Sequence, residues 1–271
     1  MKTHLPSAPL SYRDGRFAPS QRELADEVPV AISYNGSTYA VLMATPADLE
    51  DLGVGFSLSE GIAGTRQDIE TVEVVEVEKG LDVQIRLADD AADKLADRRR
   101  AIAGPVGCGL CGIESLDAAM RDLEPVTSEA RLRAEKVQDA VRAMSRAQAL
   151  NLRTRSVHAA GFYHPENGLV AIREDVGRHN ALDKLIGALS RSDADLSSGA
   201  VVMTSRLSIE LIQKTAAARC GILIAVSAPT ALAVAEADKA NITLVACARD
   251  DGFELFTHPH RIIGRTLQDV A

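Results

Sequence analysis

From about residue 126 onward, short apolar runs alternate with helical periodicity, and this alternation constrains the fold more than any other feature of the chain. The runs cover residues 157–162, 169–172, 200–204, 222–226 and 242–247, each bounded by small polar residues. A strand that is apolar on both sides must be covered on both faces, and strands alternating with helices make an α/β sheet. Helices separate the last three runs. Leu211, Ile212, Thr215 and Ala216 share one face before Gly221 stops the first, and Pro229 opens the second, which runs to about residue 239. A longer amphipathic helix is predicted over 134–150.

The first half reads differently. Residues 28–34 and 37–43 flank Asn35-Gly36, the favoured two-residue hairpin turn. Thr45-Pro46 signals a helix start running to about Glu60, before Gly61. Alternation over 72–77 and 81–86 gives two strands with one wet face, and a short charged helix follows over 90–99. Three regions result: a flexible polar tail over 1–25, a small α+β domain over 26–125 that ends in a cysteine loop, and an α/β domain over 126–271. No signal-peptide core and no stretch of about 18 uncharged apolar residues occurs, so a cytoplasmic protein is expected. A formal charge of −8 argues against broad nucleic-acid or membrane surfaces, and 3% aromatic residues without tryptophan disfavour base stacking.

The cysteine loop is Gly107-Cys108-Gly109-Leu110-Cys111-Gly112, with Gly104 just upstream. So many glycines leave the backbone unrestrained and place both thiols on an exposed loop. Arg98, Arg99 and Arg100 precede it. A free thiol with a pKa of about 8.5 is only roughly 3% ionised at pH 7, and nearby positive charge raises that fraction. A structural zinc site needs four ligands, and no second Cys-x-x-Cys or Cys-x-x-His follows, so no structural metal is expected. Cys220 and Cys247 lie in apolar runs and read as small buried hydrophobes. A thioredoxin-like pair would put the first cysteine at a helix N-terminus, whereas here a helix starts only near Ile113. The remaining role is a sulfur carrier, in which one thiolate holds a persulfide and the other attacks or protects it.

In open α/β sheets ligands bind outside the carboxyl ends of the strands. Those ends carry Arg173 to Asn180, including Arg178 and His179; Thr204-Ser205-Arg206; Ser227-Ala228-Pro229-Thr230; and Arg249-Asp250-Asp251-Gly252. Hydroxyls, arginines, carboxylates and an imidazole at four successive exits point to one functional rim. Helix N-termini behind Arg206 and Pro229 suit a phosphate or pyrophosphate. His158 is read equally as a satisfied core residue or a catalytic one, and Asp183 and Lys184 equally as a solvated helix face or part of the site.

The loop, Glu174-Asp175-Val176-Gly177-Arg178-His179-Asn180-Ala181-Leu182-Asp183-Lys184, Ser205-Arg206-Leu207-Ser208, Ser227-Ala228-Pro229-Thr230 and Asn241-Ile242-Thr243-Leu244-Val245 closely resemble the formate dehydrogenase accessory sulfurtransferases, the FdhD family. The similarity extends from about residue 26 to the end. It implies a homodimer whose C-terminal domain is similar to the cytidine deaminase fold. It also implies that sulfur is accepted as a persulfide from a cysteine desulfurase. That sulfur then passes to the bis-molybdopterin guanine dinucleotide cofactor, a bound substrate, before the cofactor enters a molybdenum-dependent formate dehydrogenase. The persulfide position falls on Cys108, with Cys111 as second cysteine, and the cofactor-binding segment on Cys247, Ala248, Arg249, Asp250, Asp251 and Gly252. In that segment two aspartates stand where a phosphate is disfavoured. A zinc deaminase would need His-x-Glu followed by Pro-Cys-x-x-Cys; His158 has Ala160 in place of the glutamate, and the cysteine pair precedes it. The alternative within the resemblance is a non-catalytic chaperone that only holds the cofactor.

Overall fold

The structure, a computed structural model, describes residues 1–102, 120–192 and 194–264. Residues 1–25, expected to be a flexible tail, form two antiparallel ribbons. Strand β1 (His4–Ser7) pairs with β4 (Arg22–Ala25), and β2 (Leu10–Arg13) with β3 (Arg16–Pro19). The inner turn is Asp14-Gly15, both with positive φ, at 50° and 79°. Asp-Gly is a favoured hairpin turn, so the correction rests on a signal present in the sequence but masked by the polar composition around it.

Strands β5 (Val28–Tyr34) and β6 (Ser37–Ala44) form the expected hairpin over Asn35 and Gly36, at φ 48° and 82°. With β7 (Ile69–Val77) and β8 (Gly80–Leu87) they make a four-stranded sheet in the order β6-β5-β8-β7. Helix α1 (Leu49–Ser59) packs on it through Leu52 and Phe56, against Ile32, Tyr34 and Val83. It starts later than Thr45-Pro46 suggested because Asp48 is left-handed, at φ 53°. Helix α2 (Asp89–Ile102) follows.

The second core surrounds a six-stranded sheet. After the two-residue β9 (Leu132–Arg133) come α3 (Ala134–Ala147) and α4 (Ala149–Thr154), where a single helix was expected. The break falls at Gln148, whose ψ of 75° is not helical. Then follow β10 (His158–His164), β11 (Gly168–Asp175), α5 (Arg178–Ser190), β12 (Ala200–Met203), α6 (Ile209–Ala217), β13 (Ile222–Ala225), α7 (Ala231–Lys239), β14 (Thr243–Arg249), β15 (Gly252–Leu255) and β16 (Ile262–Ile263), which pairs with β9. The sheet order is β11-β10-β12-β13-β14-β15. Strands β12, β13 and β14 are parallel, while β10 runs against both β11 and β12.

Alternate residues serve the two faces, as a covered sheet requires. Phe162, Met203, Leu223 and Leu244 pack with Leu182, Leu185 and Leu211 of α5 and α6, whereas Tyr163, Val202, Ile224 and Val245 pack with Val137 and Met144 of α3. The two cores meet where α1 crosses α5. A Cβ at Gly55 would collide with the Asp183 carbonyl and lie 2.8 Å from the Gly187 nitrogen; one at Gly187 would lie 2.9 Å from the Asp51 Cα. Glycine at both positions therefore sets how closely the helices approach.

Candidate functional site

Because β11 and β10 are antiparallel and β10 and β12 are too, β11, β12, β13 and β14 all leave the sheet at one edge, where β10 and β15 enter. Arg178 and His179, Ser205 and Arg206, Ser227, and Cys247 to Gly252 consequently share one rim. His158, the first residue of β10, lies opposite Asp175 on the same edge. Backbone hydrogen bonds lace neighbouring exits together. Leu207 N–H donates to the Ala228 carbonyl at 3.3 Å, Thr230 N–H to the Leu207 carbonyl at 3.0 Å, and Cys247 N–H to the Ser227 carbonyl at 3.3 Å. Cys247 itself sits in a bulge between β14 and β15 at φ 52° and is half-buried, less enclosed than its apolar run suggested. Ser205 is buried, and its hydroxyl donates to the Arg206 carbonyl at 3.1 Å.

The two aspartates of the β14–β15 turn do not act alike. The Asp250 carbonyl accepts from Gln138 Nε2 at 2.9 Å, and its carboxylate lies 3.8 Å from Arg142 Nη1, so this residue leans towards α3. Asp251 is exposed. The side chains of Arg178, Arg206 and Arg249 make no hydrogen bond or ion pair among the described residues; Arg178 is half-buried and the other two are exposed. In a chain with more carboxylates than cations, rim arginines without a carboxylate partner leave their charge open to an anion.

The N-termini of α5 and α6 stand side by side on this rim. His179 Nε2 lies 3.9 Å from Glu210 Oε2. Burial pushes the His179 imidazole down to about 4, Arg178 and Lys214 add to this, and Glu210 opposes it, so the ring is neutral at pH 7. His158 is likewise lowered, first by burial and then by Arg178.

Below the rim the charges are paired. Asp175 Oδ2 accepts from Lys184 Nζ at 2.6 Å and from Thr45 N–H at 3.0 Å; Oδ1 accepts from Gly177 N–H at 2.7 Å and Asn180 Nδ2 at 3.0 Å. Lys214 Nζ reaches both Asp183 oxygens and the Ser59 hydroxyl at 2.9 Å and Glu60 Oε1 at 2.8 Å, while Glu60 also pairs with Arg121. Burial disfavours the Lys214 charge, but Asp183 and Glu60 outweigh it and raise the ammonium above its ordinary range. Asp183 and Lys184 are thus buried struts and not a solvated face. Glu210 and Lys214 escape sequence reasoning, because Ser-Ile-Glu ahead of an apolar stripe reads simply as a helix start, and Ser208 enters it only as the last residue of a block that carries the family resemblance.

Cys108 and Cys111 lie outside the described residues, which stop at Ile102 and resume at Met120. Cys220 is buried, and that burial pushes its thiol up to about 11. Among the described residues, no group of three or more His, Cys, Asp and Glu is arranged to hold a metal ion.

Comparison with known proteins places this geometry in a lineage. The FdhD/NarQ family model matches residues 25–263. A protein of Agrobacterium fabrum named sulfur carrier protein FdhD is 54% identical over 252 residues, 93% of each chain. The protein of that name from Cupriavidus necator is 48% identical over 260 residues, 96% of this chain and 90% of the relative. A crystal structure described as a putative formate dehydrogenase accessory protein from Desulfotalea psychrophila has the same fold. Its TM-score is 0.77 at 24% identity, covering 97% of this chain and 100% of that one. With the family pattern running across both cores and through all four strand exits, this chain belongs to the FdhD/NarQ family.

Proposed function

We propose that the protein is a sulfur carrier in formate dehydrogenase maturation, which takes sulfur from a cysteine desulfurase as a persulfide and delivers it to bis-molybdopterin guanine dinucleotide. The observation that carries this reading is the match, over nearly the whole of both chains, to relatives named sulfur carrier protein FdhD. The Cys108 thiolate attacks the outer sulfur of the donor's persulfide; the new S–S bond forms on Cys108 and the donor leaves as a thiolate. Cys111 shields or releases the carried sulfur. The cofactor is substrate here, and the rim is its place on the protein. Unpaired Arg178, Arg206 and Arg249, with the N-termini of α6 and α7, supply positive charge for pyrophosphate. Ser227, Cys247 and Ala248 shape the rim's floor, Gly252 admits close approach, and Asp250 is drawn aside by Arg142.

The likeness to cytidine deaminases belongs to the same proposal as a likeness of fold without deaminase chemistry, since Ala160 occupies the place of the catalytic glutamate. So do a homodimer and a cytoplasmic location; no helix among the described residues is long and apolar enough to cross a membrane. The test is a strain lacking this protein, assayed for molybdenum-dependent formate dehydrogenase. Wild type restores activity and Cys108→Ser does not. Full restoration by Cys108→Ser would remove the carrier reading.

A further inference from the structure

The stretch of chain that follows the cysteine segment is tied down at two levels. The upper level is set by helix α1. At its crossing with α5, Asp51 meets Gly187 and Gly55 meets Asp183, so four residues forward along α1 match four residues back along α5. One further step of four carries Ser59 to the level of His179, because residues four apart stack along one helix face. Helix α1 thus climbs towards the rim, and Glu60 closes its last turn there. Two observations agree with this. The Ser59 hydroxyl meets Asp183 Oδ1 at 2.6 Å, and the Glu60 charge bears on the His179 ring.

Arg121 docks on that upper end. Its Nη1 donates to the Ser59 carbonyl at 3.4 Å, and its Nη2 pairs with Glu60 Oε2. Glu60 is held in turn by Lys214 Nζ at 2.8 Å, which is fixed on Asp183. The lower tie lies at the opposite edge, where β12, β13 and β14 begin. Val126 N–H donates to the Ala240 carbonyl at 2.9 Å, and the Val126 carbonyl accepts from Asn241 Nδ2 at 2.7 Å, just ahead of β14. Leu123 and Val126 also pack into the core, so main chain and apolar side chains secure this lower end. The upper tie is a partly exposed ion pair, which contributes little to stability. Its value lies in placement, thirteen residues from Cys108 and ten from Cys111.

We propose that Arg121 is a positioning residue for sulfur delivery: by gripping Glu60 at the rim end of α1, it presents the sulfur carried on Cys108 to the cofactor on the rim. This rests on the carrier reading above and adds the residue pair that joins carrier to rim. Uptake of sulfur takes place against the donor protein and does not depend on this grip. Delivery does, because a small misplacement of a reacting atom costs a large factor in rate.

The test compares full-length wild type, Arg121→Ala and Arg121→Lys. Purified Arg121→Ala, incubated with a cysteine desulfurase and cysteine, should gain one sulfur at Cys108 to within about twofold of wild type by mass spectrometry, and should unfold within about 3 °C of it. In a strain lacking this protein, the same variant should restore formate dehydrogenase activity about fivefold less well. Arg121→Ala isolated from that strain should also carry more Cys108 persulfide than wild type, since sulfur is loaded and not delivered. Arg121→Lys keeps a cation for Glu60 and should recover most of the activity. Wild-type activity in Arg121→Ala overturns the assignment. A loss of loading that matches the loss of activity overturns it too, by making Arg121 a structural residue, and so does Arg121→Lys as impaired as alanine. A wild type that takes up no sulfur at all overturns the carrier reading and this assignment with it.

Discussion

Gly55→Ala sets two effects of opposite sign against each other. On an isolated helix, alanine at an interior position is about 1 kcal/mol more favourable than glycine. At this crossing the added Cβ meets backbone, 2.8 Å from the Gly187 nitrogen and closer still to the Asp183 carbonyl, where ordinary van der Waals contact begins at 3.4 Å. Neither obstacle is a side chain that can swing away, so the helices themselves must part. Overpacking of a core costs about 1–3 kcal/mol and occasionally more, and backbone against backbone belongs at the upper end. Subtracting the propensity gain leaves a net loss of about 2 kcal/mol. In urea, with a slope near 3 kcal/mol per molar for a chain of this size, the midpoint falls by roughly 0.7 M. Gly252→Ala is the control, since a Cβ added there meets nothing within 4 Å and stability should be unchanged. A Gly55→Ala protein as stable as wild type, or more so, refutes the claim that glycine sets the α1–α5 approach.

Removing the cation beneath the rim by Lys214→Met strands Asp183, while Glu60 keeps Arg121; thermal unfolding should register a loss of about 3–5 kcal/mol, much of it recovered when Asp183→Asn is added. His179 should titrate near 4 by NMR. In the unfolded chain the ring takes its proton near 6.5, so stability is unaffected above that pH and declines as pH falls from 6.5 towards 4; His179→Gln should flatten this decline. Cys220, raised by burial, should resist alkylation in the native protein and react only after unfolding, as mass mapping of labelled thiols will register.

The C-terminal sheet is legible in the sequence because strands buried on both faces are largely apolar, and residues 157–162, 200–204, 222–226 and 242–247 follow that pattern in order, with His158, Thr204 and Thr243 as the polar exceptions. The shared rim follows from chain direction alone. The Asn35-Gly36 hairpin is equally plain, yet Asp14-Gly15 is inconspicuous because the residues around it are exposed and carry no alternation towards a core. The struts are hidden for another reason. Ser59 meets Asp183 at 2.6 Å across 124 residues of chain, and Thr45 meets Asp175 across 130, separations that no local pattern records. Ser208 and Glu210 are disguised as an ordinary helix start. Their place beside His179 emerges only when two helix ends are brought together.

The most direct test of the carrier role is mass spectrometry of the protein after incubation with a cysteine desulfurase and cysteine. One added sulfur mapped to Cys108, absent from Cys108→Ser and retained in Cys111→Ser, is the predicted result. Sulfur that loads normally in Cys108→Ser, or that never loads in the wild type, contradicts it.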